Sequence, residues 1–367
     1  MSKLKFKIIK QRNARVEINL NGKVVQTPIF MPVGTKATIK LVLDMLQDPK
    51  YIGDLPIINL ILANTFHLYL RPGDNLIKKA GGLHSFENRP GLILTDSGFQ
   101  VFSLGLRDDS DGVLRDEFHH DMNIKLSEQV SFHSPYDGSK HFFSPENVVD
   151  IQSNFGSDIM MVLDVCSPAH ADQKKVYEQM QMTHRWAKRA FDHLEKNYNQ
   201  VNVLFPIVQI YKDFREESLN YLSQFARDGI AVGGVSVGES REQINEIMSF
   251  VGPKLPVGKP RYLMGVTPED LKHIEQFDMF DCVLATRIGR HTAFSDEGNI
   301  KILNSKYKED FSPLTKNCPC YTCQNFSRSY IRHLFKEKEK LETLLSLHNI
   351  VYLHKLLEDW KKILLSE

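Results

Sequence analysis

The chain has 367 residues, 42% hydrophobic and 25% charged, a balance that suits a globular protein large enough for one barrel with an appendage or for two ordinary domains. A formal net charge of +1 gives no overall nucleic-acid signal. The N-terminal run MSKLKFKIIK lacks the apolar core and cleavage site of a signal peptide, and no apolar run approaches the roughly 18 residues of a membrane span, so a cytoplasmic protein without membrane contact is expected.

Eight short apolar, β-rich segments recur, at residues 28–33, 57–63, 92–95, 159–163, 203–208, 230–232, 262–266 and 279–284. Several are nearly continuous in apolar character, as parallel strands buried on both faces are. Helix-start signals lie between them: Ser144 before Pro145, and Thr267-Pro268-Glu269-Asp270, with acids near the positive end of the helix dipole. Alternating β and α units predict an α/β fold, a (β/α)8 TIM barrel, with a doubly wound open sheet as the structural alternative. The gap after the third strand is too long for one helix and predicts an insertion over about residues 104–142. It holds an acidic, His-bearing stretch at 107–120 and then a hairpin with its turn at Asp137-Gly138. Residues 1–300 read as the barrel. Residues 301–367, with 12 Lys/Arg against 8 Asp/Glu, read as a basic helical subdomain that ends in helix over 327–365.

In a barrel, chemistry gathers where the strands end. The sequence places Asn64, Thr65 and His67 after the second strand, Asp96-Ser97 after the third, Asp164 after the fourth and Gln209 at the end of the fifth. Gly233-Gly234 follows the sixth, Met264-Gly265 lies in the seventh and Asp281 inside the eighth. Taken singly, most have ordinary readings: an aspartate at a strand end commonly caps a helix, and a methionine commonly fills core. Asp281 differs, because a carboxylate between Phe280 and Cys282 is costly to bury without partners. Their convergence suits a flat, donor-rich heterocycle: carboxylates accept from ring N–H and amino groups, an amide donates to a carbonyl, and bare glycine backbone comes close. Asp96 and Asp281 together also suit glycosyl chemistry, one attacking the anomeric carbon while the other moves a proton.

Of five cysteines, three cluster in Cys318-x-Cys320-x-x-Cys323, and His348 follows. Three thiolates and one imidazole make a closed tetrahedral site, so one structural Zn2+ per chain is expected there. His333 is a second candidate for the fourth ligand, and a redox pair is the alternative for Cys320 and Cys323.

From about residue 15 to the C-terminus the chain resembles the tRNA-guanine transglycosylases, or queuine tRNA-ribosyltransferases, of bacterial type. The resemblance rests on TPIFMPVGTKAT, NTFHLYLRPG, LTDSGFQVFSL, SPYDGSKHFFSPE, GSDIMMVLD, IVQ, VGGVSVGE, YLMGV, FDMFDCVLATR and CPCYTC with a later HN, in that order. It implies a TIM barrel with a zinc-binding C-terminal subdomain, commonly a homodimer. It also implies exchange of the wobble guanine in a tRNA anticodon loop for a 7-deazaguanine through a ribosyl-aspartate. By the same resemblance Asp281 is the nucleophile and Asp96 the general acid/base. Asp164, Gln209, Gly234 and Val235 read the base, and Met264 and Phe99 sandwich it. Arg287 and Arg290 contact the flanking tRNA bases, and Cys318, Cys320, Cys323 and His348 hold zinc. Cys166 and Val237 match the residues that narrow the pocket in users of aminomethyl-deazaguanine (preQ1), which favours preQ1 over queuine.

The chain departs from the family pattern at the rim. The run Asp96-Ser97-Gly98-Phe99-Gln100 is one glycine short, Ile210 and Tyr211 follow Gln209, Val165 follows Asp164, and His291-Thr292 stands where a glycine is usual. The loop before Pro268 is shorter and lacks the family's lysine. Two other readings stay open. One is a non-catalytic tRNA-binding subunit with an active partner, against which Asp96, Asp164 and Asp281 argue. The other is a nucleoside hydrolase, which the zinc cluster and Arg287/Arg290 disfavour.

Overall fold

Two prolines divide the strand layer of this protein. The computed structural model describes residues 5–10, 15–20, 22–35, 37, 39–98, 125–167, 172–198, 203–209, 213–234, 240–337 and 341–366. An antiparallel sheet comes first, of β1 (Lys5–Lys10), β2 (Arg15–Leu20) and β3 (Lys23–Gln26). Next are β4 (Ile29–Met31), β5 (Val33–Thr35), β6 (Leu60–Ala63) and β7 (Leu92–Thr95). A small antiparallel sheet of β8 (Lys125–Leu126), β9 (Val130–His133) and β10 (Lys140–Phe143) follows. Then come β11 (Ile159–Met161), β12 (Val203–Phe205), β13 (Ile207–Gln209), β14 (Ile230–Gly233), β15 (Arg261–Leu263) and β16 (Met279–Asp281), with a final antiparallel pair, β17 (Thr292–Ala293) and β18 (Ile300–Lys301).

The strands foreseen from the sequence form two five-stranded parallel sheets, ordered β12-β11-β7-β6-β5 and β13-β14-β15-β16-β4. The sheets share chain at both ends. Pro32 separates β4 from β5, and Pro206 separates β12 from β13. Proline has no N–H to give to a ladder, but its carbonyl still accepts. Pro32 O receives Leu62 N–H at 3.0 Å and Pro206 O receives Ala231 N–H at 2.9 Å. Parallel strands need crossovers, and helices supply them, including Pro145–Asn154, Gln173–Tyr198, Arg215–Ser223 and Arg241–Val251. Ser144 caps the first of these reciprocally with Asn147, at 2.7 and 3.2 Å. Thr267 and Asp270 form the same box, yet the element they start, Pro268–Glu275, winds as a 3-10 helix.

Strand alternation splits the apolar residues into two sets. Leu62, Leu94, Val162, Ile207, Ala231, Tyr262 and Met279 belong to one buried cluster with Ile18, Leu20 and Val25 of the N-terminal sheet. Phe30, Ile61, Ile93, Val208, Val232, Leu263 and Phe280 pack with the helices instead. The N-terminal sheet lies where the strands begin: Lys23 Nζ donates to Gly91 O, one residue before β7, at 2.8 Å. The hairpin foreseen at Asp137-Gly138 is β9–β10, with His133 opposite Lys140. Residues 99–124, which hold the rest of the insertion, lie outside the described residues.

The chain ends in helices Tyr321–Asn325, Arg328–Lys336 and Glu342–Ser366. The last packs on Lys40–Met45, Pro268–Glu275, Leu284–Arg287 and Ile288–Arg290. Its Asn349 donates to Ala285 O and Thr292 O and accepts from Phe294 N–H. Among the described residues no helix is long and apolar enough to cross a membrane.

Candidate active site and metal centre

The same alternation positions the site. Two residues beyond an inward-facing apolar residue, each strand offers another residue to the same interior. Val33 leads to Thr35, Leu62 to Asn64, Leu94 to Asp96, Val162 to Asp164, Ile207 to Gln209, Ala231 to Gly233, Tyr262 to Met264 and Met279 to Asp281. All eight of these second residues line one cavity of about 220 Å³. Cys166, Gly234, His67 and Arg287 line it too.

Asp281 is 4% exposed. Its neighbours Phe280 and Cys282 turn outward into the helix-facing core, and burial pushes the Cys282 thiol up to about 12, so that cysteine is packing. Asp281 receives two hydrogen bonds, from Tyr262 Oη at 2.6 Å and Gly265 N–H at 2.8 Å, and both end on Oδ1. Burial raises its pKa, while these donors oppose the shift. They are the partners a carboxylate in that position requires.

Asp96 sits at the start of helix Thr65–Leu70. Thr65 N–H and Gly98 N–H donate to its Oδ1 at 3.0 and 2.9 Å, and Asn64 Nδ2 donates to its Oδ2 at 2.7 Å. Burial nonetheless pushes its pKa up to about 7, and the Asp281 carboxylate adds to the rise. The two acids therefore feel each other across the cavity, and Asp96 exchanges protons near neutrality. Asn64, and not an aspartate, is the helix cap here. Gly98 is required: at φ +80° a Cβ would lie 2.8 Å from Phe66 N.

Asp164 follows β11, the strand that pairs with β7. Ser97 Oγ donates to its Oδ1 at 3.3 Å and Gln209 Nε2 donates to its Oδ2. Burial raises its pKa to about 6. Gly233 leaves Gln209 room, since a Cβ there would stand 2.9 Å from the amide nitrogen. Met264 and Cys166 are half-buried at the wall. Arg287 ends a short helix at the mouth. Arg290 lies one turn on, exposed, with its Nε 3.8 Å from Glu342 Oε1. Phe99, Val235 and Val237 lie outside the described residues.

Sequence reasoning missed Tyr262, which it took only as the start of a strand. Its signal was present: it stands two residues before Met264, on the same face. The roles of Asn64 and Thr65 as donors to Asp96 had no sequence signal, because they depend on β6 lying beside β7.

The metal centre is built from Cys318, Cys320, Cys323 and His348, all buried, with ligand atoms within 4.8 Å of one another. The sulfurs lie 3.7, 3.5 and 3.2 Å from His348 Nδ1. A tetrahedral zinc with ordinary Zn–S and Zn–N bonds separates such ligands by about 3.6 Å. His348 Nε2 is 2.9 Å from Phe294 O, so this nitrogen carries the proton and Nδ1 turns its lone pair to the sulfurs. Hydrogen bonds from Cys318 and Cys320 lower the Cys323 thiol, the direction that favours the thiolate zinc binds. His333 is exposed on helix Arg328–Lys336 and takes no part. The four residues fit a structural zinc ion.

A family model for queuine tRNA-ribosyltransferase matches residues 10–366. A queuine tRNA-ribosyltransferase of Caldanaerobacter subterraneus subsp. tengcongensis is 47% identical over 98% of this chain and 92% of its own length. One from Thermoanaerobacter sp. (strain X514) is 46% identical, covering 98% and 92%. One from Acinetobacter baylyi is 44% identical, covering 96% and 89%. With nearly the whole chain matched and both buried acids in one cavity, the chain belongs to the queuine tRNA-ribosyltransferase family.

Proposed function

We propose that this chain is a tRNA-guanine transglycosylase of queuosine modification, which replaces the wobble guanine of tRNA by a 7-deazaguanine through a covalent ribosyl-Asp281 intermediate. The observation that carries the reading is the pair Asp96 and Asp281, two electrostatically linked carboxyl groups lining one cavity. In the first half-reaction Asp281 forms a bond to C1′, the bond from C1′ to guanine N9 breaks, and guanine takes the proton of Asp96. In the second, the incoming base gives its N9 proton to Asp96, its N9 bonds C1′, and the Asp281 carboxylate leaves. A group near pH 7 serves as acid first and base afterwards. Two successive inversions at C1′, the first by Asp281 and the second by the incoming base from the opposite face, retain configuration, as in two-carboxylate glycosyl transfer.

Asp164 and Gln209 read the base edge, one accepting and one donating, while Gly234 brings backbone to it and Val235 has the same role by the resemblance. Met264 stacks on one face, and the resemblance gives the other to Phe99. Cys166 at the cavity wall, together with the role the resemblance gives Val237, favours preQ1 over queuine. Arg287 and Arg290 stand at the mouth for the flanking nucleotides; single-stranded loops with splayed bases are what proteins read in RNA. The catalytic unit, residues 1–300, is a (β/α)8 barrel, supported by two parallel sheets that share chain at both ends. The zinc-binding subdomain, 301–367, packs on it, its helix Glu342–Ser366 touching both Pro268–Glu275 and Lys40–Met45. Zinc holds that junction and takes no part in the exchange. The working form is a homodimer.

The test is base exchange: purified protein is given tRNA with labelled wobble guanine and preQ1, queuine or no base. Release that depends on added base, greatest with preQ1, is expected. No release with any base rejects the activity, and a preference for queuine rejects the narrow pocket.

A further inference from the structure

Eight strands each set a residue on the cavity, and among the described residues only Tyr262 places a phenol on a reacting carboxylate. Tyr262 is fully buried. Its hydroxyl lies 2.6 Å from Asp281 Oδ1, and Gly265 N–H reaches the same oxygen at 2.8 Å. Among the described residues, Oδ2 receives no hydrogen bond. The two carboxylate oxygens are therefore unequal: one is clamped from the neighbouring strand β15 and the loop beyond it, and one is left for chemistry.

We propose that Tyr262 is the positioning residue of the nucleophile, pinning Oδ1 of Asp281 with Gly265 N–H so that Oδ2 is the atom that bonds C1′. This rests on the transglycosylase reading above. In the first half-reaction Oδ2 bonds C1′ as guanine leaves, and Oδ1 becomes the ester carbonyl oxygen. In the second, the Oδ2–C1′ bond breaks and its electron pair returns to the carboxylate, whose charge spreads to Oδ1. There the two donors meet it, as fixed donors meet charge that develops during reaction. The phenol stays a donor throughout, because burial and the Asp281 charge hold its own pKa far above the ordinary tyrosine value. The other titratable groups lining the cavity are Asp96, Asp164, His67, Cys166 and Arg287, and of these Asp96 interacts with both Asp281 and Tyr262.

Tyr262→Phe removes one donor and keeps the ring. The single-turnover rate of tRNA adduct formation is expected to fall roughly 10- to 100-fold, the loss expected when a carboxylate no longer held by its second donor presents Oδ2 out of line with C1′. KM for tRNA and affinity for preQ1 should change less than about twofold, since the ring still fills its place. The acid limb of the pH–rate profile should move to higher pH, because Asp281 loses a donor that favours its anion. Replacing Tyr262 by 3-fluorotyrosine, nearly the same shape and a stronger donor, should move that limb to lower pH. An adduct rate equal to wild type in Tyr262→Phe, or an acid limb unmoved by both replacements, overturns the proposal. A wild-type protein that forms no adduct and exchanges no base overturns the transglycosylase reading itself, which separates the two failures.

Discussion

Asn64 holds Asp96 with one end of its side-chain amide and its own helix with the other. Nδ2 donates to Asp96 Oδ2 at 2.7 Å, and Oδ1 accepts from His67 N–H at 2.9 Å. The proton carrier is thereby tied to the first turn of Thr65–Leu70. Replacing Asn64 by alanine removes a hydrogen bond that favours the Asp96 anion, so the pKa near 7 should rise further. Asp96 must be protonated to release guanine, so the alkaline limb of adduct formation is expected to move to higher pH. Losing the cap should also cost about 1 kcal/mol of stability. A pH–rate profile at single turnover checks the first; an unmoved alkaline limb would count against Asp96 as the proton donor.

The covalent step has its own signature. Asp281→Ala should abolish the tRNA adduct that survives denaturant, while tRNA binding persists. Asp96→Asn should slow exchange by about 10²- to 10⁴-fold, the usual loss when a general acid/base is removed. Denaturing gels with labelled tRNA read both, and an adduct persisting in Asp281→Ala removes that residue as nucleophile.

Buried acids that serve a site make the fold prefer lower pH. Asp164 is raised from 3.8 to about 6 by burial, so the folded chain binds its proton more tightly than the unfolded chain does. Stability then falls as pH rises through that window. Asp164→Asn cannot ionise, and should be more stable than wild type at pH 8 by about 1–3 kcal/mol. The gain should shrink towards zero near pH 4, and base exchange should be lost. Urea unfolding at both values measures it; a gain that does not depend on pH refutes the cause given.

Zinc should be stoichiometric, one per chain. Cys320→Ser or His348→Ala should lose the metal and lower Tm by roughly 5 °C or more, because His348 sits on the helix that packs against Leu284–Arg287. Metal analysis with thermal unfolding decides this, and a metal-free wild type that unfolds at the same temperature would reject the site.

Gly289 lies between the two arginines, where a Cβ would stand 2.4 Å from Ser346 Oγ and 3.0 Å from Ser346 N. Gly289→Ala should therefore push helix Glu342–Ser366 away from the rim and cost about 1–3 kcal/mol. Affinity for tRNA should fall with it, since Arg287 and Arg290 flank the displaced turn. Unfolding and tRNA titration of the one variant test both; unchanged stability would mean that the helix is not seated as described.

Much of the architecture was legible without coordinates. Apolar runs such as 92–95 and 159–163 announced buried parallel strands, because a strand covered on both faces has no polar side to show. Asp281 drew attention by standing between Phe280 and Cys282, and the cysteine spacing announced a metal. Strand period also carries the site: Asp96, Asp164, Gln209 and Asp281 each lie two residues beyond an inward apolar side chain. Such local properties depend only on neighbours in the chain.

Contacts between distant segments were decided elsewhere. Nothing in the order of residues says that Tyr262 meets Asp281 or that Asn64 meets Asp96, and the cysteine spacing by itself left His348 and His333 both open as the fourth ligand. Those follow from which strand pairs with which and from how far a helix turns before it packs. The Asp96 pKa near 7 is of the same kind, because burial and a second carboxylate act through space and leave no mark on the sequence around it.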